Sequence, residues 1–345
     1  MAYTTIDKPT DYFNTVLYTG NGSTQTISGV GFQPDWTWIK CRSDADNHSL
    51  QDSVRGANKH LRSDSTLAET ESGTVHISSW NSDGFVLGSG DGQTNASSRT
   101  YASWNWLAGG TASSNTDGSI TSSVSANTTA GFSIVSYTGN GSAGATIGHG
   151  LNSAPSMVIV KRRDTTEGWQ VFHASIGNTK YMELNSTAAT VTASTLWNNT
   201  SPSSSVVTFG TSTRVNASGS TYIAYCFAEK KGYSKFGSYT GNANTDGTFV
   251  YTGFKPAFII AKDTGATNAW YMFDNKRSSY NGEGARLMAN ASDAEVTNNN
   301  FDILSNGFKN RLSGTGTNRS GATFIYMAFA ESPFVTSTGI PTTAR

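Results

Sequence analysis

The chain is poor in the residues on which most enzyme chemistry depends. Its 345 residues hold two cysteines, five histidines and seven prolines. Cys41 and Cys226 fall at unrelated places, so both are expected to be free buried thiols and no disulfide joins them. Charge is scarce too. Charged residues make up 14% of the chain, against about 25% in an average globular protein, and Lys plus Arg (24) balances Asp plus Glu (24). Zero net charge without a basic run leaves no electrostatic footprint for nucleic acid. No apolar run approaches the ~18 residues of a membrane span, so no membrane insertion is expected. Met1-Ala2-Tyr3-Thr4-Thr5 carries no basic segment followed by an apolar one, so no signal peptide is expected.

The motifs of common catalytic sites are missing as well. There is no Walker loop, G-x-S-x-G elbow, H-E-x-x-H pair or C-x-x-C pair. The carboxylates show no repeated spacing of the kind a glycosidase pair would give. Gly139 to Gly144 fits G-x-G-x-x-G, but no helical pattern follows it, and a dinucleotide site needs a helix N-terminus there. No cofactor is therefore expected.

What the chain does have is glycine, 36 of them, with abundant Ser, Thr and Asn. It also has a repeat. Tyr18-Thr19-Gly20-Asn21, Tyr137-Thr138-Gly139-Asn140 and Tyr239-Thr240-Gly241-Asn242 are followed 16, 18 and 17 residues after the Tyr by Pro34, Pro155 and Pro256. Six residues after each Pro comes Lys40, Lys161 or Lys262. A spacing of roughly 100 residues suits a small β-sandwich better than a solenoid unit or a propeller blade. The expected fold is all-β: three tandem antiparallel β-sandwich repeats, jelly-roll or concanavalin-like, with extended terminal arms. The boundaries fall at 1–110 (including an arm, 1–16, anchored by Tyr12-Phe13), 111–230 and 231–333, with a tail at 334–345. Gly118 to Val124 reads as a first strand of the second repeat in preference to a flexible linker, because Ile120 and Val124 share alternation parity.

Period-two alternation assigns faces. Trp36, Trp38 and Lys40 share one, as do Met157, Ile159 and Lys161, and Phe258, Ile260 and Lys262; this face is expected to fill the space between the two sheets of each sandwich. Each Lys stem would lie on that core with its ammonium at the rim. The Tyr-Thr-Gly-Asn-Gly stretch suggests a type I′ hairpin, and Asp83-Gly84 and Asn306-Gly307 mark further hairpins. Each repeat ends in a strong strand, with Ala102, Trp104 and Trp106, Ile223, Tyr225 and Phe227, or Ile325, Met327 and Phe329 facing the core.

Candidate site residues are few. His48 and His173 occupy positions that sister copies fill with Trp or Asp, so structural roles are expected. Twelve residues after each Lys come Asp52, His173 and Asp274, and Lys40–Asp52 and Lys262–Asp274 suggest cross-strand ion pairs. Asp44 and Asp46 are the candidate metal ligands, although their loop fails the EF-hand pattern, and no metal is expected. Trp197, in the polar stretch Trp197-Asn198-Asn199-Thr200, is the candidate exposed aromatic for ligand contact or adhesion, with Trp80 beside it.

Several stretches are similar to a repeat in structural proteins of tailed, often marine, bacteriophages. They are Gly118 to Thr121, Gly131-Phe132-Ser133-Ile134-Val135-Ser136-Tyr137-Thr138-Gly139, Ala145 to Leu151, Tyr225-Cys226-Phe227-Ala228-Glu229, Lys235 to Gly241, the opening Met1 to Asp7 and the closing Phe329 to Phe334. Ala108 departs from the pattern where Glu229 and Glu331 follow it. The resemblance implies a non-enzymatic virion component, tail-fibre-like or spike-like, that serves host adhesion. Its partners would be other tail or capsid subunits and a host surface glycan, and the likeness to fibres favours a homotrimer. A capsid-decoration or head-fibre protein is the alternative, and a lectin-like or glycan-degrading module the second.

Overall fold

Alternating apolar and polar residues with β-branched and aromatic enrichment make strands, and strands fill this chain. The computed structural model describes residues 4–71, 73, 75–277, 284–297 and 301–333. The tail proposed at 334–345 lies outside them. Every strand ladder is antiparallel, and the α-helices among the described residues are single turns: Ser194–Trp197, Thr213–Asn216 and Thr315–Asn318.

Three large sheets share one strand order. An opening strand (Phe13–Thr19, Phe132–Thr138 or Ser234–Thr240) pairs with a closing strand (Thr100–Trp106, Thr221–Phe227 or Thr323–Pro333). The closing strand pairs on its other side with a central strand (Trp36–Cys41, Met157–Arg162 or Phe254–Asp263). A fourth strand follows (Ser49–Asp52, Trp169–His173 or Tyr271–Asp274). We call each such sheet, with the chain around it, a unit. The second sheet is longer, because Ser122–Asn127 adds to its opening strand and Ser113–Asn115 adds outside that. The 109–130 segment is thus a built part of the sheet, its strand starting at Ser122, while Ile120 makes an isolated bridge to Ile147.

A smaller sheet covers the outer face of each large one. It comprises Gln25–Ile27, Gly84–Leu87 and Ile77–Asn81 in the first unit, Ala145–Gly148 and Val206–Phe209 in the second, and Phe249–Tyr251, Gly307–Asn310 and Phe301–Leu304 in the third. The hairpins at Asp83-Gly84 and Asn306-Gly307 form as expected. The Tyr-Thr-Gly-Asn-Gly stretch does not form one. It is a corner that carries the chain from the large sheet to the small one, and of Asn21 and Gly22 only Gly22 has positive φ. An Asn clamps each corner. The Oδ1 of Asn95, Asn216 or Asn318 accepts from the backbone N–H of Asn21, Asn140 or Asn242. The corner glycine is obligatory: a Cβ on Gly20, Gly139 or Gly241 would sit 2.3 or 2.4 Å from a backbone oxygen of the clamp segment. The corner tyrosine donates its hydroxyl to the same segment, at Thr94, Val215 or Thr317.

The largest difference from the sequence expectation concerns the core. The face bearing Trp36 and Trp38 does not look at its own small sheet. It meets the matching faces of the other two units in one continuous apolar core, with Met157, Ile159, Tyr225, Phe227, Phe258, Ile260, Met327 and Phe329. The spaces between large and small sheets are filled by separate clusters, such as Ile27, Ile39, Phe85, Leu87 and Tyr101 in the first unit. Rings interlock across unit boundaries: Trp36 with Tyr225 at 4.4 Å, Phe13 with Phe258 at 5.6 Å, Phe227 with Phe329 at 6.0 Å. The units therefore close on one another and do not line up as a rod. The reason is burial: each large sheet is apolar on both faces, and one small sheet can cover only one of them.

The closure is cyclic. Glu69 N–H donates to Arg163 O, Thr190 N–H to Thr264 O and Glu295 N–H to Arg42 O, so the first unit holds the second, the second the third and the third the first. A second ring repeats the order. Trp169 Nε1 donates to Arg62 O at 2.8 Å and Trp270 Nε1 to Glu183 O at 2.9 Å, while His48 Nε2 reaches Met288 O at 2.9 Å. His48 Nδ1 accepts from Trp38 Nε1, so the ring proton must sit on Nε2, facing the carbonyl.

Two of the lysines take part in this closure and all three leave their expected place at the rim; Lys40 Nζ donates within its own unit, to the carbonyls of Cys41 and Asp44. Lys40, Lys161 and Lys262 are fully buried. Lys161 Nζ donates to the carbonyls of Arg162, Glu167 and Thr66, and Lys262 Nζ to those of Asp263, Ala266 and Thr187, in each case with one acceptor from the preceding unit. Burial lowers both ammonium groups to about 8. The rim of one sheet is simply the interface with the next. The Lys–Asp pairs do not form, because Trp36, not Lys40, stands opposite Asp52. Asp52 instead binds Arg55 at 2.5 Å and Asp274 binds Arg277 at 2.5 Å, each in full burial. Across the boundary, Asp52 accepts from Tyr225 Oη and Asp274 from Trp104 Nε1. His173 replaces the acid at the remaining boundary and bonds Tyr326 O.

Trp104 packs on Phe258 and donates to Asp274, so it joins two units. Trp104→Ala should lower unfolding stability by about 3–5 kcal/mol. In differential scanning calorimetry its unfolding should remain one transition shifted to lower temperature; a split transition that spared the third unit would contradict the shared core.

Candidate functional site

The structure disposes of most sequence candidates by satisfying them internally. Trp197 is 1% exposed, which overturns its expected role as a surface aromatic. It ends the one-turn helix Ser194–Trp197, and the left-handed Asn198 turns the chain so that the indole drops between the sheets of the second unit, against Phe172 and Phe209. The polar residues after Trp197 face solvent; the tryptophan does not. Trp80 is half-buried at the edge of the first unit's inter-sheet cluster. Asp44 and Asp46 flank Arg99, which pairs with both. Among the described residues no group of three or more His, Cys, Asp or Glu is arranged to hold a metal ion. Cys41 and Cys226 are free and buried, and burial pushes the Cys226 thiol up to about 12.

The five histidines are all buried and each has a protein partner. His60 and His76 stack with ring centroids 4.1 Å apart, bonded to Thr70, Gln93 and Thr94. His149 reaches Ser203 O, and His48 and His173 face carbonyls across unit boundaries. Removal from water penalises the imidazolium in every case. His48 and His173 fall to about 4 and His60 to about 2, while His76 and His149 are lowered from 6.5.

An open concavity lies on the second unit. It has a volume of about 350 Å³, within the range of small-ligand sites. Its walls are hydroxyls in register: Ser123 stands opposite Ser136, Ser123 opposite Ser114, and Thr138 opposite Thr221. Ser136 Oγ accepts from Arg163, whose charge Glu69 neutralises at 2.8 Å. The added strands 113–127 build this groove, and among the described residues the other units have no counterpart of them. None of the histidines lines the groove, so no imidazole is placed to activate a hydroxyl. Such a lining can donate and accept hydrogen bonds toward a neutral polar ligand. The sequence signal for it was the Ser/Thr-rich connector itself, legible as composition but not as a surface.

The histidine pKa values give a pH dependence with a definite sign. Each folded value lies below the unfolded 6.5, so below pH 6.5 the unfolded chain takes up protons that the folded chain refuses. Stability is fully present above that pH and falls as pH drops toward 4, by up to about 1.4 kcal/mol per pH unit per histidine. Asp35 and Asp46, both raised by burial, act in the opposite direction, but they are two groups against five. Urea midpoints measured at pH 7.0 and 5.0 should show a clear loss at 5.0; equal midpoints would contradict it.

The comparisons come in against this geometry. No curated protein and no solved structure matches the chain. A domain of unknown function, DUF7483, matches residues 8–333, which takes in all three large sheets and all three small ones. The chain belongs to this DUF7483 family.

Proposed function

We propose that the protein is a non-enzymatic structural component of a bacteriophage particle, exposed at the virion surface as a tail-fibre-like or spike-like adhesion subunit. Each unit is read as a β-sandwich of the jelly-roll kind, three in tandem along the chain and closed around a shared core. The observation that carries the reading is where the buried polar chemistry goes. Lys161 and Lys262, the Asp–Arg pairs and the boundary histidines hold one unit to another. That leaves the unit-specific surfaces, such as the hydroxyl groove, free to differ while the scaffold stays the same. The chain-wide resemblance to phage structural repeats supports the virion assignment.

A capsid-decoration role is the second reading. The cyclic closure favours it, because a three-lobed body suits a site of threefold symmetry better than a slender fibre does. Cryo-electron microscopy of particles that carry the protein should show a three-lobed density at the tail or on the head. Its position decides between the two readings, and absence of the protein from purified particles would overturn both. Light scattering of the purified chain reads 36.6 kDa for a single copy or three times that for a homotrimer.

A further inference from the structure

The third unit differs from its sisters at one surface. In each unit the first strand of the small sheet points an apolar residue inward, Ile27, Ile147 or Val250, paired with Phe85, Val207 or Phe308. The residues on either side point the other way. In the first unit they are Thr26 and Ser28, and in the second Thr146 and Gly148, the glycine being buried under Asn115 of the added strand. In the third they are Phe249 and Tyr251, which are 44% and 53% exposed. The fold therefore builds this strand from small residues twice, and the two exposed rings of the third unit are not needed for it.

We propose that Phe249 and Tyr251 form a stacking platform for the sugar rings of a neutral glycan. Two side chains at i and i+2 on one face of a strand are rooted about 7 Å apart, so both rings can face one short oligosaccharide. Phe249 reaches over Gly307, where a Cβ would lie 3.1 Å from its Cε2, and the side chain stays 44% exposed. Polar groups border the rings. Lys309 stands opposite Phe249 and contacts Asp246 at 2.5 Å, and Arg311 contacts Asp302 at 3.2 Å. Among the described residues none hydrogen-bonds Tyr251 Oη, and the side chain is 53% exposed, within reach of a ligand hydroxyl.

Size and charge select the ligand class. A whole Phe or Tyr side chain offers about 150–250 Å². At the observed exposures the two rings present roughly 200 Å² together, well short of the ~800 Å² that each partner contributes to a stable protein interface. A single-stranded nucleic acid would also stack on aromatics, but it needs an unpaired positive track. Here each cation is matched by an aspartate. A sugar fits what remains: it stacks through an apolar face and offers neutral hydroxyls to the paired charges at the border.

The inference deepens the adhesion reading and rests on it only for the source of the glycan. The test uses the full chain and a Phe249→Thr/Tyr251→Ser variant that carries the first unit's residues. An array would present neutral β-glucan, mannan and chitin fragments beside sulfated and sialylated ones. Wild type should bind neutral glycans, and the double variant should lose roughly tenfold or more with an unchanged melting temperature. No binding to any neutral glycan, binding confined to anionic ones, or retention by the double variant would each overturn the platform. Host-cell binding separates the two claims. Cell binding that survives the double substitution leaves adhesion standing without the platform; glycan binding without cell binding leaves the platform standing without adhesion.

Discussion

The structure depends on one constraint: three β-sheets, each apolar on both faces, must hide their inner faces from water, and they do so on one another. Trp36, Trp38, Trp104, Trp106, Tyr225, Phe258 and Phe329 come from all three units and occupy one core. Burying each such side chain contributes about 1.5–3 kcal/mol. No single unit keeps that contribution if the others leave, because its exposed aromatic face would return to water. The small sheets then have only the outer faces to cover, and two or three short strands suffice.

Directional groups turn this burial into a defined arrangement. Apolar packing alone would tolerate slippage between sheets. The cyclic hydrogen bonds from Glu69, Thr190 and Glu295 do not, and neither do the buried ammonium groups that reach carbonyls of the preceding unit. Leaving any of these buried groups unpaired costs about 1–3 kcal/mol, more for a charge. The boundaries are alike but not identical. Two carry a buried Asp–Arg pair extended by Glu69 or Glu295 to an arginine of the next unit, and the third carries His173. The two outward features that stand apart, the hydroxyl groove and the Phe249–Tyr251 pair, each belong to a single unit, so both can vary without disturbing the closure.

Much of the strand layout could be read from the chain itself. Alternation marks the central and closing strands, and the faces holding Trp104, Tyr225 and Met327 are buried as expected. The partner of each face could not be read, because alternation reports that a face is covered and not by what. The same limit explains the lysines: a long side chain at the end of an apolar face looks alike whether it meets solvent or a neighbouring unit. Trp197 was misplaced because composition averages over neighbours, whereas one left-handed residue, Asn198, decides which way the indole points. The Asn-Gly hairpin reading failed because strand pairing beyond the corner, and the clamp by Asn95, override the local turn preference. The clamp has a signal of its own, the spacing Asn-x-Ser-x-x-Thr at Asn95, Asn216 and Asn318, but a turn-rich chain hides it among many similar triplets. Phe249 and Tyr251 could not be told from core residues until their sisters were aligned through strand register.

Native-state hydrogen exchange tests the shared core most directly. The amides of Trp38, Ile159 and Ile260 sit in the central strands of the three units, and all three side chains belong to the one core. If the units stand or fall together, these amides exchange with the same opening free energy and the same denaturant dependence. Three separate opening free energies, one for each unit, would contradict the account.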